Sequence, residues 1–95
     1  MGYRNRRFYF ALVSFSAAKR EHRAIAQLVR QHREGTGLTQ EQLAKKLGKP
    51  QSFVSKVENG DRVLDIPELR SICHALDITF VQFINELDAL LNASK

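Results

Sequence analysis

Apolar positions recur along this chain at the three- and four-residue steps of a helix, in short blocks separated by glycine, proline and small polar residues. Ile25, Leu28 and Val29 form one such stripe, and Gly35-Thr36-Gly37 is a stop signal, so a helix is expected over residues 16–34. Thr39 can cap the next helix with its hydroxyl while Gln42, three residues on, reaches back to the cap. Leu43, Ala44 and Leu47 then face inward, with Glu41, Lys45 and Lys46 on the solvent side. Gly48 follows the last apolar residue, where a left-handed backbone ends a helix, and Pro50 suits the start of another. That second short helix is expected over residues 51–58, with Val54 and Val57 inward and Asn59-Gly60 closing it. Asp65 with Glu68, and Thr79 with Gln82, repeat the capping device. They open helices running to about residues 76 and 91. Five helices on short connections, with no long alternating run, predict an all-α fold.

The stretch from Thr39 to Gly60 carries most information. Two helices crossing steeply through a three- to four-residue turn form the helix-turn-helix unit. Ala44 has little room there, because a larger side chain would push the helices apart. Gln40, the Leu43-Ala44 pair, Gly48, Val54, Val57, Glu58 and Gly60 stand at the spacing of one family pattern. The segment resembles the Cro/repressor-type (xenobiotic-response-element) helix-turn-helix transcription regulators, over roughly residues 25–87. The resemblance implies a five-helix lambda-repressor-like DNA-binding domain over residues 17–95, with the motif at 39–60, preceded by an N-terminal extension over residues 1–16. It departs from the family at Asp61, where a basic residue is common, which weakens phosphate contact from that loop.

What the resemblance implies about residues follows position by position. The N-terminal end of the second motif helix reads base edges, so Gln51 and Ser52 lead, with Ser55 and Lys56 one turn on. Glutamine can pair with adenine and lysine can donate to guanine. The plainer reading makes these four a solvated helix face. Gln40, at a helix start that favours anions, is the expected phosphate anchor, supported by Thr39, Lys49 and Arg62. Phe53 either touches DNA or covers the core edge, and partial packing is preferred. Arg33 and Glu58 match family positions that form an ion pair, which would fix the reading helix.

Charge sharpens the picture. The chain is formally +5, with eight Lys/Arg against two acids in residues 1–34, five against three in 35–62 and two against five in 63–95. Attraction to phosphate therefore belongs to the first helix and the motif. The acidic last third is better placed to meet protein. On the last helix Phe80, Ile84, Leu87 and Leu91 form one face, and Val81, Phe83 and Leu90 widen it beyond a single stripe. Such a face either packs deeply within its own chain or forms an isologous contact. The resemblance favours a homodimer, reading a two-fold symmetric operator, most simply as a repressor.

The rest of the chain sets limits. Cys73 shares a helical face with Leu69, Ile72 and Leu76 and reads as a core thiol. His22, His32 and His74 have no metal-ligand spacing, and no nucleophile or phosphate-binding glycine loop is found, so neither a metal, a cofactor nor an enzyme is expected. The first residues, basic and then apolar from Phe8 to Phe15, resemble a weak signal peptide. Export would remove a DNA-binding protein from its target, and the run is too short to span a membrane. A cytoplasmic, nucleoid-associated protein is expected. Three roles stay open for the segment, with packing against a partner first, ahead of a basic arm of Arg4, Arg6 and Arg7 or a disordered extension. The competing function is a protein-interaction module, such as an antitoxin holding a partner protein through this segment or the last helix.

Overall fold

A computed structural model describes the backbone of residues 2–93 and the side chains of residues 19–93. Its elements are α1 (Gly2–Gly35), α2 (Gln40–Leu47), α3 (Gln51–Glu58), α4 (Ile66–Ala75) and α5 (Phe80–Ala93). Helix α1 begins earlier than residue 16. The physical reason is that no glycine or proline interrupts residues 3–34, so nothing in that stretch breaks a helix once it is started. The side chains of Arg4, Arg6 and Arg7, the candidate arm, lie outside the described residues.

Local signals fix the remaining ends. Thr39 and Gln42 form the reciprocal capping box on α2, and Asp65 and Glu68 form another on α4. At the end of α2, Gly48 is left-handed at φ 66°, and the Lys49 N–H closes onto the Ala44 carbonyl at 3.0 Å. Helix α4 ends with the same closure, Ile78 N–H to Cys73 carbonyl at 3.0 Å, but the left-handed position is held by Asp77 at φ 61°. A side chain there is strained where glycine is not. Asp77→Gly is expected to raise stability by about 1 kcal/mol, read as a higher midpoint in urea; an unchanged or lower midpoint would show that the Asp77 side chain contributes more than its backbone costs.

The core gathers Leu28 and Val29 from α1, Leu43 and Ala44 from α2, Val54 and Val57 from α3, Leu69, Ile72, Cys73 and Leu76 from α4, and Phe83 from α5. Helix α1 packs on α3 and α5, α2 lies between α3 and α4, and α4 closes against α5. Burial pushes the Cys73 thiol up to about 11, so it stays protonated at neutral pH and acts as a small apolar side chain.

The α1–α5 contact also has a polar part. His32 Nε2 donates to Glu86 Oε1 at 2.6 Å, and Gln82 Nε2 donates to Glu86 Oε2 at 3.1 Å. The hydrogen bond from His32, with that from Gln82, holds the Glu86 carboxyl below its ordinary range. A depressed carboxyl contributes stability that is present above the unfolded carboxylate range and lost as pH falls through the folded one. Glu86→Gln should therefore flatten the fall in Tm on acidification below about pH 5. A decline as steep as that of the native chain would count against a contribution from this contact.

Candidate nucleic-acid interface

Helix α3 is short, eight residues, and two turns of helix have little stability of their own. Its position is imposed by neighbours. Val54 and Val57 are buried on α1 and α2, while Gln51, Ser52 and Lys56 are exposed and Ser55 is half-buried. The four polar residues expected to read DNA thus share the outward side. Pro50 caps α3 in an extended conformation and offers no side-chain acceptor to its first turn, unlike Thr39 on α2 or Asp65 on α4.

One buried group fixes the helix from behind. Arg33 Nε and Nη2 donate to Glu58 Oε2 at 2.6 Å and Oε1 at 3.0 Å, a fork-on-carboxylate pair between α1 and the last residue of α3. The Glu58 side chain is 0 % exposed. Arg33 Nη1 also donates to the Leu38 carbonyl at 2.8 Å, and Thr36 Oγ1 donates to the Arg33 carbonyl. The Glu58 hydrogen bond drives the Arg33 guanidinium further above its ordinary value, so the charge is permanent. These bonds tie α3 to α1 and to the α1–α2 loop.

Gln40 belongs to this frame, which the sequence did not reveal. Its Nε2 donates to Glu58 Oε1 at 3.0 Å, and because a carboxylate only accepts, the carboxamide orientation is fixed. Gln40 is half-buried at the start of α2, with Thr39 beside it capping the helix. No local spacing signals a bond between residues 18 positions apart. Lys49, in the turn before α3, and Arg62, in the loop after it, are both exposed, and each places its cation 5.5 Å from the centre of the Phe53 ring. Arg62 Nη2 also donates to Glu68 Oε2 at 2.5 Å. Phe53 itself is half-buried and packs on the core edge.

The α5 surface needs a correction. Phe83, expected at a subunit contact, is 0 % exposed in its own chain and touches the His32 ring, so it presents no surface to a second copy. Phe80, Ile84, Leu87 and Leu90 are half-buried against the same core, Leu91 is half-buried, and Val81 is 67 % exposed. Periodicity shows the width of an apolar face but not how much of it the parent chain covers.

The helix-turn-helix family matches residues 29–83, more than half of the chain. This chain belongs to the Cro/repressor-type (XRE) helix-turn-helix family. As a member it is a DNA-binding transcription regulator and not an enzyme. An XRE-family like protein from Pseudomonas syringae pv. tomato str. DC3000 has 33% identity and a TM-score of 0.76, covering 82% of this chain and 95% of its own. The restriction-modification controller protein C.Esp1396I, crystallised as a tetramer with its natural 35 base-pair operator, has 27% identity and a TM-score of 0.70, covering 75% and 93%. The clp gene regulator ClgR from Corynebacterium glutamicum, at 23% identity and a TM-score of 0.72 over 78% and 79%, shares the fold. No curated protein sequence matches the chain. For this XRE-type regulator, no helix among the described residues is long and apolar enough to cross a membrane, and no group of three or more His, Cys, Asp or Glu side chains there could hold a metal ion.

Proposed function

We propose that this regulator is a sequence-specific repressor that binds a two-fold symmetric operator as a homodimer, each copy laying α3 in a major groove. The observation that carries the reading is the construction of α3, a short helix with polar residues outward and a buried ion pair behind it. Gln51, Ser52, Ser55 and Lys56 read base edges. Thr39, Gln40, Lys49 and Arg62 meet phosphates and set the register. The complex of C.Esp1396I with its operator supports a DNA site larger than one copy could cover. Occupying a promoter most simply blocks it, hence repression.

In this reading the dimer forms through the open side of α5, from Phe80, Val81, Ile84, Leu87, Leu90 and Leu91. Residues 1–16 are an extension to the DNA-binding domain and contact a partner. The protein works in the cytoplasm, on the nucleoid. The test is a binding titration over a range of salt concentrations, comparing DNA from upstream of the protein's own gene with random DNA. Tighter binding to one upstream site with a steep salt dependence is expected; equal affinity for every duplex would overturn the proposal.

A further inference from the structure

Phe53 lies on α3 but is neither a core residue nor an outward reader: it is half-buried at the core edge and, with Leu47, Pro67 and Ile72, lines a cavity on the α4 side. Two exposed cations flanking α3 each lie 5.5 Å from the centre of its ring, Lys49 from the turn before the helix and Arg62 from the loop after it. Long basic side chains lose rotamer freedom when held, so two of them against one ring need a cause. The electron-rich face of an aromatic ring attracts cations within about 6 Å of its centre, and both charges lie inside that range. Glu68 accepts a hydrogen bond from Arg62, while no acidic side chain among the described residues is bonded to Lys49.

We infer that Phe53 is a positioning residue for DNA binding: its ring holds Lys49 and Arg62 together as one preformed phosphate-binding cluster beside the reading helix. The inference rests on the DNA-binding reading above and adds to it a residue that touches no DNA itself. Ordering the two side chains before binding removes that entropy cost from the complex. Because Phe53 and the base readers share one rigid two-turn helix, the cluster moves with them and fixes the depth at which they meet the bases.

The experiment measures binding to a short duplex of arbitrary sequence across salt, where phosphate contacts dominate and no operator need be known. The slope of log affinity against log salt falls by about 0.9 for each phosphate that is no longer neutralised. Lys49→Gln and Arg62→Gln should each lower the slope by about that amount. Phe53→Leu, which keeps an apolar side chain and both cations but removes the ring, should keep the native slope and weaken binding about tenfold at every salt concentration. Phe53→Tyr keeps a ring and should retain the native affinity. A residue that only supported the fold would lower Tm and leave the affinity of the folded fraction unchanged, and Phe53→Leu with native affinity would overturn the inference. A native chain with no salt-dependent binding would instead sink the DNA-binding reading.

Discussion

Arg33→Ala is expected to cost about 3–5 kcal/mol of folding stability, because it leaves a wholly buried carboxylate with Gln40 as its one remaining donor among the described residues. Domains of this size have roughly 5–15 kcal/mol in all, so the variant should lose a large fraction of its stability. Charge burial, rather than lost attraction, is the cause. Replacing both partners with apolar residues, Arg33→Met with Glu58→Leu, should therefore be milder than either single alanine change. DNA affinity should still fall in the double variant, because α3 has lost its tie to α1. Urea titrations followed by circular dichroism check both statements. A loss below about 1 kcal/mol for Arg33→Ala would mean that water reaches Glu58.

The second large effect separates reading from framing. Gln51→Ala should cost about 1–3 kcal/mol on the preferred operator and relax base choice at one position, with little change on random DNA. Gln51 is exposed on α3, so its removal should not alter stability. Gln40→Ala should weaken all sequences alike and also lower stability by about 1 kcal/mol, since Gln40 donates to buried Glu58. Anisotropy titrations on the preferred and scrambled sites, beside thermal melts, distinguish the two. Equal losses from both changes on every duplex would show that base reading lies elsewhere.

The motif was legible because its signals are local. The Thr39–Gln42 box, Gly48, Pro50 and Asn59-Gly60 mark helix ends within four residues of where they act, and α2 and α3 have the expected bounds. The fold class followed from five such blocks. The start of α1 was not legible, since residues 3–15 hold no glycine or proline to mark a boundary. Long-range polar partners were out of reach for a different reason. His32 with Glu86 and Gln40 with Glu58 join residues 54 and 18 positions apart, and neither pair follows from a period. The Arg33–Glu58 pair was accessible only through family resemblance, and the structure supplies its forked geometry. Phe83 shows the limit of counting apolar residues on α5, because the count does not say that α1 and α4 close over the middle of that helix.

A hydroxyl-radical footprint of the protein on its preferred upstream site tests the central claim most directly. Two protected half-sites of related, inverted sequence are predicted, their centres about 10 base pairs or a small multiple apart, with two copies of the chain per site. A single unpaired patch bound by one copy, or protection that ignores sequence, would contradict the account.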